Sequence, residues 1–193
     1  MRLVINLILV AIIVGLGYVL VDSIREPIQF RAEKAKRETA VKDKLMRIRT
    51  AQEMYRGITG YFAPTFDTLK EVLSTRDFAL VKVIGDPDDP DNPEAITYDT
   101  TFKPAIDSVR RLGIGLDSLE YVPFGDGAKF NIQADTITYQ QTNVSVVEVG
   151  TSRKAFMGKW GDPKYRKYDD RYDPGKPMKF GNMNAPNTSG NWE

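Results

Sequence analysis

Carboxylate side chains between residues 85 and 94 are the groups in this chain whose types and spacing could bind a metal ion. Hard oxygen ligands of this kind suit calcium. The spacing is not that of an EF-hand, and interspersed prolines restrict how the carboxylates converge. We therefore favour a solvated loop and keep a calcium site as the alternative. The candidate ligands are Asp86, Asp88, Asp89, Asp91 and Glu94.

Residues 158–193 are the second distinctive segment, since they combine glycine, proline, asparagine and charge with several aromatic side chains. The composition without the aromatics is typical of disorder. Aromatic residues mixed with arginine are instead typical of binding surfaces. A passive tail is the alternative, but we predict an extended tail that binds a protein partner. The candidate partner-binding residues are Trp160, Tyr165, Tyr168, Tyr172, Phe180 and Trp192.

Residue types that usually carry catalysis are missing from the sequence. It contains no histidine and no cysteine, so the usual general base near neutral pH, a disulfide and a thiolate metal site are all excluded. The formal net charge of +1 creates no strong field that would attract nucleic acid. We predict a protein that is not an enzyme, has no cofactor other than the calcium considered above, and does not bind nucleic acid.

An uncharged apolar run at residues 3–21 predicts a membrane anchor, with Asn6 as its one amide. A helix over this run would span about 28 Å, close to the ~30 Å hydrocarbon core of a bilayer. The run is longer than the apolar region of a signal peptide and no small-residue cleavage site follows it, so we favour a retained anchor. Lysine and arginine after the run would, counted alone, place the following domain in the cytoplasm.

The segment after the anchor, residues 23–60, predicts a helical stalk that becomes a core helix. Residues 31–40 are charged and favour a helix, but offer almost nothing to bury. Gly57 and Gly60 are expected to end the helix. Between the charged stretch and Gly57, apolar residues recur at helical spacing and form one stripe that another part of the chain must cover. The stripe consists of Val41, Leu45, Ile48, Ala51 and Tyr55.

Residues 61–157 predict a small head domain that covers this stripe. A short helix at 66–74 precedes a buried strand at 78–84. A strand at 98–102 and a helix at 104–112 are expected next, followed by successive strands between 119 and 150. The predicted class is α+β, with an N-terminal transmembrane helix continuing into a long helix packed on a small antiparallel sheet. The predicted units are an anchor (1–22), a stalk and core helix (23–60), a head (61–157) and an extended C-terminal tail (158–193).

Residues 51–69, AQEMYRGITGYFAPTFDTL, resemble the end of the long helix and the following loop in type IV pilins and in the pseudopilins of type II secretion. Glu53-Met54-Tyr55, Gly60-Tyr61 and Leu69 hold the corresponding places. The resemblance implies a bacterial inner-membrane protein with one membrane span, whose soluble domain lies in the periplasm, opposite to the side that charge alone favours.

Pilin precursors carry a charged leader and a glutamate near the start of the mature apolar run, whereas this chain begins directly with the run. We therefore expect an unprocessed relative or a component outside the filament. The predicted function is a non-enzymatic subunit of a secretion or pilus-like assembly. Its expected partners are other membrane or periplasmic subunits or a second copy of itself, with the bilayer contacting residues 3–21. The alternative is a membrane-tethered module that binds a small ligand or calcium through residues 85–94.

Overall fold

A single long helix, α1, forms the axis of the molecule. The computed structural model describes residues 2–84 and 97–193. Helix α1, Arg2–Thr59, has 58 residues and passes through Pro27 without interruption, so its length is about 87 Å. Within the described ranges it is the one helix long and apolar enough to cross a membrane. Its apolar side chains from Leu3 to Val21 are 48–76% exposed, so no other part of the described chain covers them.

A short helix and a β-hairpin follow α1. Helix α2, Phe66–Thr75, begins at Thr65, whose side chain accepts a hydrogen bond from a backbone N–H of the first turn. Strand β1, Asp77–Ile84, pairs antiparallel with β2, Thr97–Pro104. These two strands form a sheet by themselves. Helix α3, Ala105–Arg111, follows β2 and packs against α2.

The second sheet has three antiparallel strands in the order β3-β4-β5. Strand β3, Asn131–Tyr139, follows a 3₁₀ turn at Leu116–Ser118, and β4 spans Thr142–Ser152. Strand β5, Pro177–Gly181, pairs with the second half of β4. The C-terminal residues therefore contribute a strand to the head.

Three short helical segments connect β4 to β5. Helix α4 covers Arg153–Met157, and two 3₁₀ helices follow at Gly158–Gly161 and Pro163–Tyr168. Residues 158–193 thus leave the head sheet, run along α1 and return to the sheet as β5. They pack on the rest of the chain.

The core lies where the head covers one face of the second half of α1. The predicted apolar stripe is buried as expected, because Val41, Leu45, Ile48 and Ala51 are fully covered and Tyr55 is 8% exposed. The cover comes from α2, from β4 and β5, and from the segment between them. Its buried members include Leu69, Leu73, Val147, Val149, Phe156, Met157, Met178 and Phe180. The predicted α+β class is confirmed.

A buried amide fixes the turn from α1 into α2. Gln52 is fully buried. Its side chain donates a hydrogen bond to the carbonyl of Ala63 at 3.0 Å and accepts one from the N–H of Ala63 at 2.8 Å. Both polar ends of the amide are therefore satisfied, as burial requires. Gly60 allows the turn by adopting φ +84°, a left-handed conformation that glycine enters without steric cost.

Two local predictions are wrong. The segment 78–84 is a strand but not a buried one, because Leu80 and Val81 are 47% and 55% exposed. Its apolar run lies in a two-stranded hairpin, where Phe78 packs against the core but Ala79, Leu80 and Val81 are exposed. Residues 119–124 form turns, with one isolated bridge from Tyr121 to Lys129, and the strand β3 begins only at Asn131. In both places the apolar composition was the same as that of a buried strand.

Candidate functional site

Four of the six aromatic residues predicted to bind a partner gather around one side chain of α1. Phe30 is fully buried. Its ring centroid lies 5.9 Å from that of Trp160, 5.6 Å from Tyr165, 6.0 Å from Tyr168 and 5.1 Å from Tyr172. The Tyr165 ring is stacked on Phe30 and the Tyr172 ring meets it edge-on, both favourable aromatic geometries. We call these five residues the aromatic cluster.

The cluster closes because residues 160–172 form a compact loop. Asp162 begins the 3₁₀ helix, where its carboxylate accepts a hydrogen bond from the N–H of Lys164 at 2.9 Å, and Pro163 occupies the first helical position. The hydroxyl of Tyr172 donates a 2.8 Å hydrogen bond to the carbonyl of Trp160. This bond joins the two ends of the loop. Burial raises the pKa of Tyr172 to about 12, so the hydroxyl remains a donor at neutral pH.

Ion pairs fix the same segment along the charged stretch of α1. Lys34 donates a 2.5 Å hydrogen bond to Asp169, and the guanidinium of Arg153 binds Glu38 at 2.8 Å. Hydrogen bonding by Lys34 lowers the pKa of the Asp169 carboxyl. These four side chains are about one-fifth to one-quarter exposed (19–26%), so they are screened less than fully solvated pairs. The charged stretch 31–40 therefore binds later parts of the same chain through ion pairs.

The end of the loop nearest the apolar run contacts Glu26. The Glu26 carboxylate accepts a hydrogen bond from the Tyr168 hydroxyl and lies 3.4 Å from the Lys167 ammonium. The bond from Tyr168 is the largest influence lowering the pKa of Glu26. Because Glu26 follows the apolar run closely in α1, these contacts hold the head directly beside the end of that run.

Phe180 and Trp192, the other two predicted partner-binding residues, lie away from the cluster. Phe180 belongs to β5, faces Val149 of β4 across the sheet and is 1% exposed. Trp192 is half-buried against the head core. Nearby, the carboxylate of Glu193 binds Arg49 of α1 at 2.7 Å. All six aromatic side chains thus pack within this same chain, and their predicted role in binding a partner stays a prediction.

The β1–β2 hairpin carries exposed apolar side chains. Residues directly opposite in the ladder share one face, and Ala79 pairs with Phe102 while Val81 pairs with Thr100. Tyr98 lies on the same face as Phe102 because alternate residues of a strand point the same way. Val81, Tyr98 and Phe102 are 55%, 66% and 66% exposed. We call these three residues the apolar hairpin face.

Two signals could have located these residues in the sequence, and neither stood out. Phe30 is a large apolar residue next to a charged stretch, where an isolated side chain implies no particular partner. The hairpin face takes alternate residues of each strand, but Ala79, Leu80 and Val81 are all apolar, so the sequence of β1 does not distinguish one face from the other.

The candidate calcium ligands Asp86, Asp88, Asp89, Asp91 and Glu94 lie outside the described residues, so that site stays a prediction. Within residues 2–84 and 97–193, no three histidine, cysteine, aspartate or glutamate side chains are placed to hold a metal ion.

Comparison with known proteins gives no relative. No family model, no curated protein and no solved structure matches this chain. The likeness of residues 51–69 to pilins therefore stays a prediction.

Proposed function

We propose that this protein is a non-enzymatic subunit of a bacterial envelope assembly, anchored in the inner membrane by one span at residues 3–21. In this proposal the head lies in the periplasm and holds the β1–β2 hairpin for another protein subunit. The assembly is a secretion or pilus-like apparatus, a class motivated by the sequence of residues 51–69. The periplasmic side follows from the same likeness.

The observation that carries the proposal is the continuity of α1. One helix contains the apolar run and, further along, the stripe around which the head folds. The cluster around Phe30 and the contacts at Glu26 attach the head to the part of α1 next to the apolar run. A head attached in this way keeps a set height and direction above the bilayer, which is the requirement for a structural subunit.

The hairpin is the proposed contact with the partner subunit. Its base reaches α1 near Gly57, where the Phe78 ring lies close to the helix. Gly57 is about 54 Å beyond Val21 along α1, so the apolar hairpin face is too far from the bilayer to contact lipid. A two-stranded hairpin is only marginally stable alone in water. An apolar face and two unpaired strand edges fit a protein that adds a strand and covers Val81, Tyr98 and Phe102.

Purification from native membranes in a mild detergent tests the proposal. We expect the full chain to elute with a stoichiometric second protein, and we expect the double variant Tyr98→Lys and Phe102→Lys to elute without it. The matched control is Tyr139→Lys, because Tyr139 is an exposed tyrosine at the end of β3 in the other sheet. This control should keep the complex.

Three results would contradict parts of the proposal. A monodisperse monomer from the unaltered chain overturns it. A complex that contains only this chain and is lost in the double variant replaces the partner with a second copy. For the periplasmic placement, a C-terminal reporter that is active only in the cytoplasm reverses the assigned side.

A further inference from the structure

The 3₁₀ helix Pro163–Tyr168 lies at the end of the head nearest the apolar run. The Tyr168 hydroxyl and the Lys167 ammonium both reach Glu26 of α1. Glu26 is about 7.5 Å beyond Val21 along the helix axis. The polar headgroup layer of a bilayer is roughly 5–7 Å deep on each side of the hydrocarbon core. With residues 3–21 in the bilayer, this short helix therefore lies at the outer boundary of the headgroup layer.

Two lysines of this helix are placed on one edge. Side chains three residues apart eclipse one another in a 3₁₀ helix, so Lys164 and Lys167 project in the same direction. Their ammonium groups lie 4.9 Å and 4.5 Å from the ring centroids of Tyr165 and Tyr168. Both lysines are exposed, and the Lys167 ammonium lies 3.4 Å from the Glu26 carboxylate, so this edge of the helix is beside the part of α1 that follows the apolar run. Arg25, exposed on α1, adds a third cation at this depth.

Two of the nearby acids, Glu26 and Asp162, are engaged within the chain, whereas Asp22 on α1 is exposed. Glu26 accepts the Tyr168 hydroxyl, and its contact with Lys167 uses only part of an ammonium group that has three donors. The Asp162 carboxylate accepts the backbone N–H of Lys164 at the start of the 3₁₀ helix. Lys164, Lys167 and Arg25 thus outnumber the one unengaged carboxylate, Asp22, among the described residues at this level of α1.

We infer that Lys164 and Lys167, together with Arg25, bind the headgroups of anionic phospholipids in the bilayer that contains the anchor. The inference rests on the proposed function, because it requires residues 3–21 to span that bilayer. Lysine side chains reach across such a gap by extending their aliphatic stems. The contact gives the head a second attachment to the membrane, off the axis of α1, and so restricts how the head tilts and rotates.

Hydrogen exchange on the full chain in lipid nanodiscs tests this inference. Exchange of the backbone amides in 162–168 is compared between zwitterionic discs and discs containing anionic phosphatidylglycerol. We expect exchange about tenfold slower in the anionic discs, since each cation near an anionic surface contributes modestly. High salt should remove the difference because it shortens electrostatic range.

The variants make the result specific. The double variant Lys164→Gln and Lys167→Gln should exchange equally in both kinds of disc. Lys176→Gln is the control, because Lys176 is exposed but lies beside Arg153, whose partner Glu38 is about 18 Å further along α1 than Glu26. It should keep the tenfold difference.

Equal exchange of the unaltered chain in both kinds of disc overturns the lipid contact but leaves the proposed function standing. Slower exchange in zwitterionic discs on addition of inorganic phosphate also overturns it, since the ligand would then be a soluble anion. A chain that fails to co-migrate with the discs removes the membrane span, and with it both proposals. Because no partner protein is present, none of these outcomes depends on the hairpin.

Discussion

Aromatic side chains form the cluster around α1 and also lie on the β1–β2 hairpin, but the first set is buried and the second is exposed. Phe30 and Tyr172 in the cluster are 0% and 1% exposed, whereas Tyr98 and Phe102 on the hairpin are both 66% exposed. The difference comes from what lies opposite each set. The C-terminal segment supplies Phe30 with neighbouring rings, but no described element of the chain is placed over the hairpin.

Aromatic residues of similar composition thus have two different roles, one in packing the fold and one on the surface. The cluster packs the head against the part of α1 that follows the apolar run. The hairpin leaves Tyr98 and Phe102 in solvent, which is where we propose that a partner binds. Substitutions that remove equal amounts of aromatic surface should therefore have very different effects on the isolated protein.

The largest effect is expected for Phe30→Ala. It removes the ring at the centre of the cluster and leaves a cavity, so the free energy of unfolding should fall by about 3–5 kcal/mol. Denaturant unfolding of the full chain in detergent, followed by tryptophan fluorescence, measures this change. Ile28→Ala is the control, because Ile28 is 62% exposed, and it should change stability by no more than about 0.5 kcal/mol. Equal small losses in both variants would show that the cluster does not hold the segment.

A smaller effect is expected for Tyr172→Phe, which keeps the ring and deletes the hydroxyl bonded to the Trp160 carbonyl. Leaving that carbonyl without its donor should cost about 1–3 kcal/mol. The same variant also tests how the stability of the protein depends on pH. The folded protein holds the Tyr172 proton up to a pKa of about 12, against an unperturbed value of 10.0.

Because this pKa is raised on folding, the contribution of Tyr172 is complete below pH 10 and is lost as pH rises toward 12. Stability of the unaltered chain should therefore fall over that interval more steeply than stability of Tyr172→Phe. Tyr139→Phe, at an exposed tyrosine, should follow the unaltered chain. Parallel pH profiles for all three proteins would contradict the assignment.

The smallest effect on stability is expected for Phe102→Ala. Its ring is largely in solvent, so the free energy of unfolding of the isolated chain should change by no more than about 0.5 kcal/mol. The same denaturant titration measures it. A loss comparable to that of Phe30→Ala would show that the hairpin face is packed in the isolated protein, and the contrast between the two regions would disappear.

The sequence predicts best those features that repeat along one element. The stripe from Val41 to Tyr55 has helical spacing, and its burial follows from that spacing and from the need for a cover. The helix α2 and both hairpin strands were found for the same reason, since local apolar patterns and turn residues determine them. The α+β class follows from the order of these elements.

The sequence predicts least where two distant segments meet. Lys34 and Asp169 are 135 positions apart, and neither local pattern indicates the other. From the sequence, the aromatic residues of 158–172 could equally have covered a partner or α1. Composition indicates how much apolar surface a segment has, but not which surface it packs against. The same limitation applies to β1, whose apolar run implied a covered strand that the fold does not provide.

The separation of Phe30 from its cover in the chain also sets the order of events during synthesis. The ribosome completes α1 long before it reaches Asp169, which pairs with Lys34 from 135 positions away. At about 5–20 residues per second, Asp169 is synthesised roughly 7–27 s after Lys34. The apolar run can enter a membrane during that interval, before the C-terminal segment that covers Phe30 is complete.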